Sequence, residues 1–554
     1  MKEGNNKKIG GSFSISPIAG RLSLEGPIGK SGKTTFAVSG RRTFLDIITK
    51  PFFQKGNSFG YYFYDFNAKV CHTFSQKDKI FVSFYSGIDK FKITATNKDT
   101  QGGTTATDKS SVILKWGNQT GAFRWNHVIS NKLFSNYTLN FTRFQFDVIN
   151  TFEQTRQTDT TFDQAGLYLR YFSGIRDWAV KADYEYTPDA RNKIRFGGSY
   201  INHGFAPGAA QLKFTGNGPG NLDTLLGPNG RIYTNELAIY GEDERRITKR
   251  VKVNGGLRAV GYNVRGKTTF YLEPRFSLNK NFDGKFAIKG AYSMMNQFLH
   301  LLANSGTSLP TDLWVPATDK IKPQTSQQVS IGLNVPLKQA FEFTVEGYYK
   351  WMKNLIDYKE GANFAAINQS WEDKVLAGNG QSYGAEFLIQ KKTGPLTGWI
   401  GYTLAWANRR IIGINNDKTY PFKYDRRHDV SLVSSYKYSE KYTFSASVVF
   451  STGNAITFPI GQYLDINGNV VYEYGSKNAF RLNNNSRLDI GYTKMLDKKR
   501  NKRNLEQSWT FSIYNVLAHN NPYYVYVDNT TSPAKVKQIS LFGFVPGIAY
   551  NLKF

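Results

Sequence analysis

The sequence predicts an all-β chain closed into a transmembrane antiparallel β-barrel of about 22 strands, with long extracellular loops and short periplasmic turns. Three observations point there: a period-two tail that ends on an aromatic residue, alternating strands from end to end, and connections whose lengths alternate. In the tail, Ile548, Tyr550, Leu552 and Phe554 fall on one face of an extended strand, and Ala549, Asn551 and Lys553 on the other, because successive strand side chains point to opposite sides. The closing strand of an outer-membrane barrel needs an apolar face toward lipid and a polar face toward the lumen. Taken alone, the tail fits an edge strand of a soluble sandwich equally well.

The alternation recurs along the chain. Val329, Ile331, Leu333 and Val335 alternate with Ser330, Gly332 and Asn334. Phe341, Phe343, Val345 and Tyr349 alternate with Glu342, Thr344, Glu346 and Tyr348. Ile400, Tyr402, Leu404 and Trp406 alternate with Gly401, Thr403 and Ala405, and Trp509, Phe511 and Ile513 with Thr510 and Ser512. These read as half-buried strands, and helical periodicity is scarce. Short, turn-like connections are expected at Ser75–Lys79, Pro188–Asn192, Asn279–Gly284, Thr393–Pro395 and Tyr438–Lys441. Long polar ones are expected at Lys92–Ser110, Phe205–Arg231, Gln297–Thr325, Leu355–Gly380 and Ser451–Arg487. Segregated loop lengths suit a membrane barrel, and a soluble sandwich has no need of them. With about 25 residues per strand and connection, the 554 residues give ~22 strands and a lumen wide enough to need a plug.

Composition is consistent with this and excludes other classes. Hydrophobic residues are 40% of the chain and aromatics 15%, yet mean hydropathy is -0.45. No stretch approaches the ~18–20 apolar residues of a spanning helix, so a helical membrane protein is excluded. The single cysteine, Cys71, rules out an intrachain disulfide and reads as inert. The net charge of +29 comes from scattered Lys and Arg. It reads as charge spread through turns and lumen, with a polyanionic neighbour such as lipopolysaccharide as the alternative. No dense basic block marks a nucleic-acid arm, and no nucleic-acid partner is expected. The N-terminus shows no apolar signal-peptide core. A barrel must be exported, so either the chain is a fragment of a longer precursor or the barrel reading is wrong.

Little catalytic chemistry is visible. Gly26–Thr34 hints at a phosphate loop, but Pro27 stands where the motif needs glycine. The histidines have no metal-ligand spacing to one another or to Cys71. Asp425, His428 and Asp429 could be an acid–base set. The alternative is a polar strand start, and no Gly-x-Ser-x-Gly elbow supports hydrolysis. Neither an enzyme, a cofactor nor a metal site is expected. Arg170, Glu342, Glu346, Glu386 and Asp489 fall on polar strand faces, where a wide barrel would turn them to lumen and plug. Trp314, Trp371, Phe364 and Tyr420 lie in long connections and are the ligand candidates, since aromatic faces give large contact area at low entropy cost. Packing of loop on loop is the other reading for each. Met294, Met295, Phe298, Leu299, Leu301 and Leu302 could form a short apolar helical turn capping the lumen, or a plain strand end.

Several longer strings resemble one family. Gly20-Arg21-Leu22-Ser23-Leu24-Glu25-Gly26-Pro27-Ile28 and Ser39-Gly40-Arg41-Arg42-Thr43 resemble the first barrel hairpin of TonB-dependent outer-membrane transporters. The subgroup resembled is the one whose plug follows a regulatory-like domain. Ser308 to Pro316, with Pro310, Asp312, Trp314 and Pro316, then Pro323, is the most specific match. Tyr383-Gly384-Ala385-Glu386, Tyr424-Asp425-Arg426-Arg427-His428-Asp429, Tyr514-Asn515-Val516 with Asn521-Pro522, and the tail ending on Phe554 follow in the family's order. The resemblance covers the chain end to end and implies residues 1–10 as a lead-in from a plug and 11–554 as the barrel. It implies a multi-pass position in the Gram-negative outer membrane, amid its lipid and lipopolysaccharide. It further implies energised nutrient uptake through a plug and TonB, assembly through the C-terminal strand by the barrel-assembly machinery, and a possible surface lipoprotein partner. The family's plug and energy-coupling box are missing from these residues. A passive porin or barrel-embedded enzyme is the alternative function, and a soluble β-rich polyanion-binding protein a further one.

Overall fold

The computed structural model describes all residues except 1–2, 54–55, 218–220, 227–229, 303–312, 338–339, 363–369, 467–469, 497–504, 529–534 and 541. Its wall is built from β1 (Gly10–Ile15), β2 (Ala19–Ile28), β3 (Thr34–Thr43), β4 (Ser58–Thr73), β5 (Asp78–Gln101) and β6 (Thr104–Ser130). It continues with β7 (Leu133–Gln157), β8 (Phe162–Asp189), β9 (Asn192–Gly216), β10 (Ile232–Arg246), β11 (Val251–Val264), β12 (Lys267–Phe282) and β13 (Phe286–Gln297). It ends with β14 (Gln324–Pro336), β15 (Phe341–Tyr358), β16 (Val375–Lys391), β17 (Leu396–Arg410), β18 (His428–Lys437), β19 (Tyr442–Ser451), β20 (Asn485–Met495), β21 (Glu506–Tyr514) and β22 (Val545–Lys553). Each strand pairs antiparallel with its neighbours, and β1 pairs with β22, Phe13 opposite Leu552, so the 22-stranded sheet closes. Closure leaves no unpaired sheet edge for lipid to meet. No helix among the described residues is long and apolar enough to cross a membrane.

Register fixes which side chains share a face. On β10 and β11 the exposed pair Leu237 and Ile239 shares the outward face with Leu257. Glu236, Tyr240 and Arg258 point inward. In the tail, Ile548, Tyr550 and Leu552 share the outward face with Phe511 and Trp509. Asn551 faces inward, where Ser14 Oγ donates to its Oδ1 at 2.8 Å across the seam.

Phase inverts along the longest strands. In β7, Tyr137, Leu139 and Phe141 point outward in the half near the short turns, opposite Ala182, Val180 and Trp178 of β8. Farther up, the inward residues become apolar (Phe144, Phe146, Val148) and the outward ones polar (Arg143, Gln145, Asp147). The reason is solvent. Once the wall leaves lipid its outer face meets water, and its inner face packs on folded loops.

The inversion explains where expectation and structure differ. Lys92–Ser110 and the first half of Phe205–Arg231 are wall, not loop: β5 and β6 stay paired to Gln101 and Thr104, and β9 runs to Gly216. The stretch that could have been an apolar helical turn is strand. β13 carries Met294 and Met295, and Leu299–Leu302 pairs with Leu313–Pro316, with alternate residues fully buried. The Arg265–Gly266 hairpin between β11 and β12 has φ of 50° and 79° at its two residues, the left-handed pair that a two-residue turn needs.

Candidate functional site

Six strands supply a polar belt on the inner wall. Asp177 of β8 meets His203 Nδ1 of β9 at 2.8 Å, and His203 Nε2 lies 4.0 Å from Glu236 of β10. Arg258 of β11 bridges Glu236 at 2.6 Å and Glu273 of β12 at 3.1 Å. Glu273 then accepts the Asn296 backbone N–H of β13 at 2.8 Å. Cross-strand register places these side chains side by side, so each charge finds a partner without bending the wall.

A cap lies over the belt. The Leu299–Leu302 and Leu313–Pro316 pair packs with Leu114, Phe146 and Tyr171 from β6, β7 and β8. The same cluster holds Ile356, Tyr358, Trp371 and Val375 from β15, β16 and the connection between them. Strands from separate stretches of the wall thus meet through one apolar cluster. Tyr262 donates to the Ala317 carbonyl at 2.7 Å and stacks on Phe298, fixing the stem. Arg265 reaches Asp319 and Glu372, each at 3.2 Å, and ties the cap to the β15–β16 connection.

Ion pairs latch the neighbouring connections. Asp357 accepts from Lys477 Nζ at 2.8 Å and from the Tyr420 hydroxyl at 2.9 Å. Burial, with Asp357 alongside, raises the Tyr420 phenol well above its usual range. Asp425, with a fully buried side chain, pairs with Arg481 and Arg427 and accepts the Ala407 N–H at 2.7 Å. Burial pushes the Lys374 ammonium down.

His300 sits inside the cap, fully buried, with Gln324 Nε2 2.9 Å from its Nδ1. Burial lowers its pKa from 6.5 to about 4. The unfolded cap therefore binds the extra proton first. The stabilising contribution of neutral His300 is complete above the unfolded pKa and falls with pH toward about 4, at about 1.4 kcal/mol per pH unit. Channel openings in planar bilayers should rise between neutral pH and pH ~4.5, and His300→Asn should flatten that dependence.

The expected site residues separate into groups. Glu342, Glu346, Glu386 and Asp489 share the inward face, with Glu346 directly opposite Glu386. Asp489 pairs with Arg487 at 3.0 Å. Arg170 is a correction. It shares the outward face with Phe172 and Trp178 and binds Asp147 through Nε at 2.7 Å. It lies above the inversion, where apolar Tyr171 has taken the inward side. Trp371 and Tyr420 are buried in the loop packing, so they present no free face to a ligand. Trp314 is half-buried opposite Leu301 in the cap. Phe364, Pro310 and Asp312 lie outside the described residues. Pro316 closes the cap strand, and Pro323 accepts Asn354 Nδ2 at 2.9 Å.

The acid–base set does not assemble. His428 faces outward onto Tyr402, whose hydroxyl is 2.9 Å from Nδ1, whereas Asp429 faces inward opposite Thr403 and Asp425 is held by arginines. Arg426 lies 3.9 Å from Asp429. No cluster of potential metal ligands occurs among the described residues. Sequence reasoning missed the belt and the long-range cap contacts. The alternation of Leu313 and Val315 with Trp314 was the available sign of a second cap strand.

Known proteins share this architecture. Residues 44–542 match the family described as TonB dependent receptor-like, beta-barrel. No curated protein sequence matches the chain. The ferripyoverdine receptor of the Pseudomonas aeruginosa outer membrane superposes with a TM-score of 0.62 at 11% identity, covering 99% of this chain and 71% of that one. The ferric-catecholate import receptor Fiu of E. coli gives 0.60 at 13% identity, covering 100% and 82%. The copper transporter OprC gives 0.63 at 10% identity, covering 99% and 81%. A family match over most of the sequence, on a closed 22-stranded wall, places this chain in the TonB-dependent receptor family as an outer-membrane β-barrel.

Proposed function

We propose that this barrel serves energised uptake of a scarce nutrient, with a chelated metal as the cargo class. The observation that carries the reading is a cap of folded loops packed by an apolar cluster above a charged inner wall. A simple diffusion pore has no use for a cap held by an apolar cluster and buried ion pairs. A transporter does, because cargo must be captured before passage. The similar structures named above are described as receptors or transporters for ferric chelates and copper, which supports that cargo class ahead of glycans, peptides or vitamins. Energy would arrive from TonB through a plug domain. A surface lipoprotein partner and assembly through the C-terminal strand belong to the same proposal.

The test is uptake of radiolabelled iron chelates by cells expressing the barrel with its plug. Uptake that stops when TonB is removed is expected. Uptake independent of TonB, or steady ungated conductance with the plug present, would favour a passive porin. Turnover of lipid or peptide lost in a His428→Ala variant would favour a barrel-embedded enzyme.

A further inference from the structure

The cations behind the +29 charge differ in whether a carboxylate partners them. At the long-loop end the cations of the cap and latches have carboxylate partners: Arg265 with Glu372, Lys477 with Asp357, Arg481 with Asp425. At the other end, five successive hairpin turns from β2 to β11 carry Lys or Arg and no acidic residue (29–33, 74–77, 131–132, 190–191 and 247–250). Lys30, Lys33, Lys77, Lys132, Arg191 and Lys249 in these turns are all exposed.

Nearby carboxylates are already engaged. Asp78 is bound to His127 at 2.7 Å, and Asp189 caps its own turn by accepting the Arg191 and Asn192 N–H groups. Glu3 takes Lys79 at 2.7 Å, and Asp283 takes Arg250 at 2.6 Å. Among the described residues, none of the six cations has a carboxylate within ion-pair distance. Successive hairpins stand about 10 Å apart along the wall. The cations therefore form a row rather than a pocket.

A second feature shows what the row faces. Just above it, on the outward surface, Trp125, Tyr137, Tyr184 and Phe196 form an unbroken aromatic line across β6, β7, β8 and β9. Their ring centroids are spaced 5.2, 6.0 and 5.1 Å apart, and the two tyrosine hydroxyls lie 3.1 Å from each other. Such a line marks the level of lipid headgroups on a barrel. Lysine directly beyond it can lay its stem on the apolar boundary and its ammonium among phosphates.

We propose that this basic arc binds the anionic phosphodiester headgroups of the membrane leaflet at the short-turn end. A headgroup layer fits better than a single ligand or a docking protein. The cations follow the circumference at one level, continuous with a lipid-facing surface. Bound headgroups would set the depth of the barrel and leave the capped end facing outward. The inference rests on the membrane-barrel assignment, which heat-modifiable gel migration checks separately.

The test uses the folded chain in vesicles with spin-labelled phosphatidylglycerol or phosphatidylcholine. Wild type should retain the anionic lipid by about threefold or more over the zwitterionic one. High salt should erase that preference. Replacing the six cations with glutamine should abolish it, whereas K50Q/K359Q/K418Q/K535Q at the opposite end should leave it intact. If the six-site variant fails to fold, the salt titration of wild type carries the test. Equal retention of the two lipids by wild type, or a preference that survives in the folded six-site variant, would overturn the proposal. So would a preference lost in the opposite-end variant.

Discussion

Asp425→Ala should release the connections around residues 411–427 and 452–484 while leaving the wall closed. Asp425 pairs with two guanidiniums there: Arg427 at 3.5 Å and Arg481, whose Nη1 also donates to the Asp425 carbonyl at 2.7 Å. Truncation would leave both guanidiniums without their carboxylate and the Ala407 N–H without its acceptor, Arg481 keeping only backbone carbonyls. Breaking a buried ion pair by removing one partner costs about 3–5 kcal/mol. A loss of that size falls on the local opening of the loops. Protease cleavage in these two connections should rise by roughly 100-fold or more, with heat-modifiable migration preserved. Asp425→Asn keeps one acceptor and should lose less. Unchanged cleavage in the alanine variant would mean that the latch holds nothing.

Opening the cap should have the second large effect. Leu302 and Val315 are fully buried where wall strands and cap meet. Leu→Ala in a packed core costs about 2–5 kcal/mol, depending on how far the site collapses. Leu302→Ala combined with Val315→Ala should convert brief openings in planar bilayers into long ones. Conductance equal to wild type would show that the cap does not obstruct the lumen.

The wall was legible in the sequence because lipid enforces period two. Val329, Ile331 and Leu333 had no other place to go, and the tail pairs as its alternation implied. The reading failed where lipid ends. From Thr94 to Gln101 the strand is solvated on its outer face, so no apolar stripe announces it and its sequence reads as loop. Arg170 reads as inward because it falls on a polar strand face, but above the membrane apolar Tyr171 claims the inside. Trp371 and Tyr420 stand in long connections as expected, yet only tertiary packing could show that they are buried. The cap cluster gathers residues such as Tyr171 and Leu302 that lie far apart in sequence, and local pattern carries no record of that.

The seam between the first and last strands is where closure is decided. Ser12 and Lys553 are inward-facing partners, next to the mutual backbone hydrogen bonds of Gly11 and Phe554 at 3.0 Å. A Ser12→Cys, Lys553→Cys chain, with Cys71 replaced by serine, should form an intramolecular disulfide in the folded state, since opposed strand positions suit its geometry. The product should be a chain tied end to end, with altered migration on a denaturing non-reducing gel. Folded protein that never acquires this bond under oxidation would contradict a sheet that closes on itself.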